Sequence, residues 1–226
     1  MAAFTNKTNS PSVDVVLPVY NGELFIAEQL DSILIQQGVN VRVLALDDAS
    51  TDRSLEILRR YEKAEPRLQV LCNDTNQGLI ASLSKLLSEV TAPFFALADQ
   101  DDVWDSTKLS QSIAELRKGF EMVYSNVRLV DEELTVTTQD YWSDFGIKPA
   151  GAESLLSFVF KNPAIGHTIV GHSRVLPAAL PLPQNLHFHE ARLAAAAALI
   201  GEISWISKPL GCYRIHGSNV VGPRKQ

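Results

Sequence analysis

The sequence predicts an α/β domain with a mostly parallel central sheet covered by helices on both faces, and three observations carry that expectation. Short, near-continuous apolar runs such as Val13–Val19, Val41–Leu46 and Phe94–Ala98 read as strands buried on both sides. Between them lie segments whose apolar residues recur at every third or fourth position, the spacing of a helix with one buried face. Polar clusters follow directly on three of the apolar runs: Tyr20-Asn21-Gly22, Asp47-Asp48-Ala49-Ser50-Thr51-Asp52 and Asp99-Gln100-Asp101-Asp102. In open α/β sheets, ligands sit outside the carboxyl ends of the strands, so these clusters should share one rim.

Taken in order, the strand Val13–Val19 ends in Tyr20-Asn21-Gly22, and a helix from Glu23 carries Ile26, Leu30, Ile33 and Leu34 on one face up to Gly38. A second strand, Val41–Leu46, leads to a helix marked by Leu55, Leu58 and Tyr61, which Pro66 stops. Leu68–Cys72 is a third strand, Gly78–Val90 a helix with Leu79, Leu83, Leu86, Leu87 and Val90 inward, and Phe94–Ala98 a fourth strand. Beyond them come a helix over Lys108–Lys118 and a short strand, Met122–Ser125.

Asp131–Gly151 shows no periodicity and reads as a loop; its Tyr141, Trp142 and Phe145 suit either stacking on a sugar ring or pinning the loop to the core. A helix follows over Glu153–Phe160, His167–Val170 is a candidate strand, and Pro177, Pro181 and Pro183 mark a turn. An alanine-rich helix from about Ala191 to Ile200 and a strand, Ile203–Ser207, lead to the tail Tyr213-Arg214-Ile215-His216-Gly217-Ser218-Asn219. Residues 1–12 read as a flexible segment ahead of one domain over 13–222.

Composition narrows the partners. A net charge of -6 and a pI near 5.4 argue against nucleic acid or an anionic membrane as the main partner, so a bound phosphate must be met locally by a metal or by backbone N–H groups. Cys72 and Cys212 lack metal-ligand spacing and read as thiols in a reducing compartment. Met1–Pro11 has no apolar core of a signal peptide, and no run approaches the roughly 18 apolar residues of a membrane span.

The acidic run Asp99-Gln100-Asp101-Asp102 carries the chemistry. It reads as a solvated turn with Asp102 or Asp105 capping the next helix, or as a hard-cation site, because carboxylate oxygens suit Mg²⁺ or Mn²⁺.

Together Leu17-Pro18-Val19-Tyr20-Asn21-Gly22, Asp47-Asp48-Ala49-Ser50-Thr51-Asp52, Asn76-Gln77-Gly78-Leu79 and Asp99-Gln100-Asp101-Asp102-Val103-Trp104 resemble, in order and spacing, the family 2 glycosyltransferases of GT-A fold. The Asp-Gln-Asp-Asp-x-Trp form and the tail Tyr213-Arg214-x-His216-Gly217-x-Asn219 look most like the rhamnosyltransferase-like branch. The resemblance implies a single GT-A domain with a Rossmann-like sheet, its nucleotide-binding half over about 13–104 and its acceptor half over about 105–222. The implied activity is inverting transfer of a sugar from a UDP- or dTDP-linked donor, dTDP-rhamnose among the candidates. The implied acceptor is a saccharide or lipid-linked hydroxyl in cell-surface polysaccharide or glycolipid synthesis, met in the cytoplasm or at the inner face of the membrane through peripheral contact.

By matching position, Pro18 and Tyr20 line the base and ribose pocket. Asp48 accepts the imino N–H of a pyrimidine base, Asp101 is the principal metal ligand, Asp99 sits beside the ribose or the metal, and His216 ligates the metal or donates to the diphosphate. The cofactor is Mg²⁺ or Mn²⁺.

The general base of the family, an acid at a late helix, matches Glu190. Here the sequence departs from the pattern: glutamate stands for the more usual aspartate, and Ala191-Arg192-Leu193 stands where aromatics are usual. His189 competes for the role, since imidazole titrates near pH 6.5. Two rival readings are a nucleotide-sugar binder of the same fold without catalysis, and a phosphotransferase. The latter would want a nucleophilic aspartate after the first strand, where Pro18-Val19-Tyr20-Asn21 stands.

Overall fold

Val13, Val15, Leu17 and Val19 face one hydrophobic cluster while Val16 faces another, the period-two alternation of a strand buried on both sides. That strand, β1 (Ser12–Val19), is the spine of the nucleotide half. The computed structural model describes residues 10–160, 163–185, 188–217 and 219. Most of the 1–12 segment, and 220–222 at the far end of the expected domain, lie outside the described residues.

β1 pairs in parallel with both β2 (Asn40–Asp47) and β4 (Phe94–Leu97), and β2 pairs in parallel with β3 (Leu68–Cys72). Helices α1 (Ile26–Leu34) and α2 (Ser54–Ala64) bury Ile26, Leu30, Ile33 and Leu58 on one face of this sheet. α3 (Leu79–Ser88) buries Leu83, Leu86 and Leu87 on the other.

Past β4 the sheet becomes mixed. After β5 (Val103–Trp104) and α4 (Lys108–Leu116) come β6 (Phe120–Val130), the short β7 (Val136–Thr138), β8 (Val170–His172) and β9 (Glu202–Arg214). The strand order is β3-β2-β1-β4-β8-β6-β9-β5, with β7 on β6. β8 runs antiparallel between β4 and β6, while β6 and β9 are parallel to each other. The parallel arrangement read from the sequence therefore holds for the first four paired strands.

Several elements differ from expectation: β6 extends well beyond Met122–Ser125, and the strand expected at His167–Val170 is instead β8, which starts at Val170. Tyr141, Trp142 and Phe145 lie in a short helix, α5 (Tyr141–Phe145), capped by the Asp140 carboxylate on the Ser143 N–H. Tyr141 and Trp142 are buried, and Trp142 packs edge-on against Tyr124, so they pin the segment to the core. β9 is much longer than Ile203–Ser207 and absorbs Tyr213 and Arg214, because its register shifts along β6 let it pass Pro209 and Gly211. The late helix α8 (His189–Ala198) begins at His189 and packs on α6 (Leu155–Phe160) and α7 (Leu176–Ala179).

Candidate active site

Since β1 lies between β2 and β4, the three polar clusters that end these strands meet. Asn21 N–H donates to Ser50 Oγ (3.0 Å), and Thr51 N–H donates to Asn21 Oδ1 (2.8 Å). Asn21 and Ala49 both adopt left-handed backbone, the turn each strand needs to release its polar run onto the rim. Gln100 pairs both ways with one residue of the first cluster: Tyr20 N–H donates to its Oε1 (2.8 Å) and its Nε2 donates to Tyr20 O (3.1 Å).

Pro18 is half-buried and Tyr20 is 44% exposed, so this edge offers a ring to an incoming group. Asp48, by contrast, is buried. Its Oδ1 accepts from Asn73 Nδ2 (2.7 Å) and Gln77 N–H (2.9 Å), and its Oδ2 accepts from Gly78 N–H (2.8 Å). A carboxylate offers about four lone pairs, so these three donors leave room for about one more. Asn73, which sequence reading passed over, thus orients Asp48 together with the Gln77-Gly78 turn.

The acidic turn is held from behind by α1 and by Gln36 just past its end. Gln29 Nε2 donates to Asp99 O (2.8 Å), Trp104 N–H donates to Ser32 Oγ (3.1 Å), and Gln36 Nε2 donates to Asp105 O (2.8 Å). These three side chains are buried at helical spacing beside the apolar stripe, a polar row that apolar periodicity does not report.

Arg214, fully buried, closes the turn from the other side. Its backbone N–H donates to Asp102 Oδ1 (3.0 Å), its Nε to Asp101 O (2.8 Å), and its other guanidinium nitrogens to Glu132 O and to the Glu28 carboxylate.

Two histidines distant in sequence, His216 and His167, converge on this turn. His216 Nε2 lies 2.9 Å from Asp101 Oδ2, although 115 positions separate them. Ligands of an octahedral Mg²⁺ at about 2.1 Å lie about 3.0 Å apart along an edge, so this pair fits one hard cation. Asp99 keeps 39% exposure. Asp102 and His167 are wholly buried with Oδ2 and Nδ1 2.7 Å apart, and Asp99 Oδ2 is 3.5 Å from the same Nδ1. Asp99, Asp102 and His167 also present ligand atoms within 4.8 Å of one another. The sequence marked His167 only as a candidate strand start; it lies in a 3-10 turn, Gly166–Thr168, ahead of β8.

The charges here are strongly perturbed. Burial raises the Asp101 carboxyl, and the neighbouring Asp102 and Asp99 charges raise it further, to about 6, against the pull of His216. Burial would depress His167, but the charge and hydrogen bond of Asp102, with help from Asp99, outweigh it and lift the imidazole to about 9. Dehydration would raise Asp99, yet His167 chiefly, with His189 and Lys108, holds it below the usual carboxylate range. Lys108 is buried with Nζ 3.7 Å from the centre of the Trp104 ring and donating to His167 O; burial brings it down to about 7 despite the surrounding carboxylates. A surplus of carboxylate that raises Asp101 is an environment that favours a cation.

His189 and Glu190 border the same cluster. Both open α8, Glu190 is buried, and His189 acts electrostatically on Asp99. Gly166 makes their placement possible, since a Cβ there would stand 2.7 Å from His189 Nε2 and 3.4 Å from Glu190 Oε1.

The chain is similar to known proteins over this framework. The model of glycosyl transferase family 2 matches residues 14–171. The putative glycosyltransferase EpsE of Bacillus subtilis is 35% identical over 127 residues, which is 55% of this chain and 46% of EpsE. The dTDP-rhamnosyl transferase RfbG of Shigella flexneri is 27% identical over 223 residues, covering 91% of this chain and 73% of RfbG. The chain thus spans under half of EpsE and most of RfbG.

Among solved structures, S. aureus TarS 1-349 in complex with UDP-GlcNAc superposes with a TM-score of 0.71 at 20% identity over 92% of this chain and 60% of that one. The mannosyltransferase PcManGT from Pyrobaculum calidifontis, in complex with GDP-Man and Mn²⁺, gives 0.70 at 19% identity over 94% and 59%. No described helix is long and apolar enough to cross a membrane. With the family model covering more than half of the chain, and with this fold, the chain belongs to glycosyl transferase family 2.

Proposed function

We propose that this chain transfers a sugar from a UDP- or dTDP-linked donor to an acceptor hydroxyl, with inversion at the anomeric carbon and with the help of Mg²⁺ or Mn²⁺. The observation that carries the reading is the approach of His216 to Asp101 beside part-exposed Asp99, on the rim shared with Tyr20 and Asp48. The similarity to RfbG, a dTDP-rhamnosyl transferase, supports a dTDP sugar, and the UDP-GlcNAc complex of TarS supports a pyrimidine diphosphate in this fold.

Pro18 and Tyr20 flank the base and ribose. Asp48, fixed by Asn73, Gln77 and Gly78, accepts the imino N–H of uracil or thymine with its remaining capacity and rejects bases that lack that donor. Asp101 and His216 would hold the cation, with Asp99 toward the ribose or the cation. Bound there, a divalent cation would supply Lewis-acid stabilisation of the charge that grows on the departing nucleotide diphosphate. Glu190 takes the proton of the acceptor hydroxyl from the far side of the sugar, with His189 beside it (Nδ1 to Oε2, 3.8 Å).

Residues 13–104 form the donor half and 105–222 the acceptor half. The acceptor is a saccharide or lipid-linked hydroxyl of cell-surface polysaccharide or glycolipid, reached from the cytoplasm.

The test is thermal stabilisation by UDP, dTDP, ADP and GDP, each with Mn²⁺ and with EDTA. Ligands bound only by the native state raise its stability in proportion to occupancy. Shifts with UDP or dTDP that EDTA abolishes support the reading; equal shifts with GDP and UDP, or indifference to EDTA, overturn it.

A further inference from the structure

His216 reaches Asp101 from the end of β9, and the contacts on its ring raise the question of what aims it. The Phe25 ring centre lies 4.9 Å from that of His216 and 4.4 Å from the Arg214 guanidinium carbon, so one phenyl touches both residues of the Arg214-x-His216 pair. We propose that Phe25 is a positioning residue for the cation site: its ring, backed by buried Arg214, sets the His216 imidazole toward Asp101.

The inference rests on the reading of Asp101 and His216 as cation ligands. Phe25 itself is firmly placed. It immediately precedes α1, its N–H donates to Gly22 O (3.1 Å), and its carbonyl accepts from Gln29 N–H (3.2 Å). Gln29 also holds Asp99 O through its side-chain Nε2, so the backbone that carries the phenyl and the backbone that carries the carboxylates are tied to one residue, the first by its N–H and the second by its amide.

The phenyl is also met by a guanidinium that three different partners immobilise, the favourable geometry of a cation over a ring. The His216 backbone is held by the Asn219 side chain, whose Oδ1 accepts its N–H (2.6 Å) and whose Nδ2 donates to Arg214 O (3.1 Å). Those bonds fix where the chain is, and Asn219 Nδ2 also lies 3.3 Å from His216 Nε2, a contact at one ring nitrogen. The Phe25 ring restricts how the imidazole turns about its side-chain bonds, and a ligand allowed to swing loses affinity because the ordering must then be done at binding.

Mn²⁺ alone, titrated into the full chain and followed by electron paramagnetic resonance, reads the site without any turnover. Wild type and Phe25→Tyr should bind Mn²⁺ alike, whereas Phe25→Leu should weaken binding by about five- to twenty-fold. In a His216→Ala background the Phe25→Leu substitution should change nothing further, because a residue that acts through His216 has no effect once that ring is gone. A general loosening of the fold would instead add to the loss.

Circular dichroism checks folding, and Phe25→Met, which keeps apolar bulk without a ring, replaces Phe25→Leu if the latter does not fold. Wild-type affinity in Phe25→Leu beside a weakened His216→Ala overturns the inference and leaves the cation site standing. Unchanged binding in His216→Ala, or no binding by wild type, overturns the site reading and this inference with it.

Discussion

His167 Nδ1 lies 2.7 Å from Asp102 Oδ2, and neither side chain touches water. With its pKa lifted to about 9 the imidazole carries its second proton at neutral pH, behind the turn that presents Asp99 and Asp101. Removing one partner of such a pair strands the other and typically costs about 3–5 kcal/mol. His167→Ala should therefore lower stability by about that amount in urea unfolding. The folded pKa lies above the ordinary imidazole value of 6.5, so the pair's contribution is complete below that value and fades as pH rises through about 9.

Lys108 acts in the opposite sense. Its folded pKa of about 7 lies below the ordinary 10.5, so its penalty is present below about 7 and is relieved as pH rises toward 10.5. Lys108→Met removes that term. The melting temperature of the variant should fall more steeply than that of wild type between pH 7 and 9. A steeper fall for wild type would contradict this assignment of signs.

Asp101 at about 6 binds its proton more readily in the fold than in the unfolded chain, so ionising it opposes folding above that pH. Asp101→Asn should raise the melting temperature at pH 7.5 in EDTA by a few degrees, on the order of 1–2 kcal/mol, while abolishing the response to Mn²⁺. A stabilised protein that still answers to Mn²⁺ would place the cation elsewhere.

Glu190→Gln keeps shape and polarity but cannot accept a proton, and losing general-base help costs about 10²–10⁴ in rate. Single-turnover rates should fall by that factor, with UDP affinity within a few-fold of wild type. Glu190→Asp tests whether the shorter carboxylate of the family pattern serves at this position. A near-normal rate for Glu190→Gln beside an inactive His189→Ala would transfer the role to His189.

Asp48→Asn sets an amide donor either opposite Gly78 N–H or opposite Gln77 N–H and Asn73 Nδ2, so about 1–3 kcal/mol of stability should be lost to an unsatisfied buried group. The preference for UDP over GDP, measured by isothermal titration, should narrow in the same variant. A retained preference would assign base recognition to another residue.

The sequence by itself determined the strands and helices of the donor half, because apolar runs and helical stripes there are set by burial on both faces of a parallel sheet, and periodicity reports burial directly. It also determined that Asp48, Asp99 and Asp101 end strands of that sheet, a matter of local order along the chain.

Tertiary structure decided which distant groups meet them. His167 against Asp102 and Phe25 against His216 are contacts between distant elements that no local pattern encodes, whereas His216 beside Asp101 was expected from the family resemblance of the tail. Tertiary structure decided as well that Tyr141 and Trp142 turn inward, since an aromatic in an aperiodic segment looks the same in sequence whether it caps a core or faces a ligand. The buried polar row Gln29, Ser32 and Gln36 stayed silent for a related reason: a polar side chain marks the surface unless a partner satisfies it, and here the partners are backbone groups of residues 99–105, supplied by the fold.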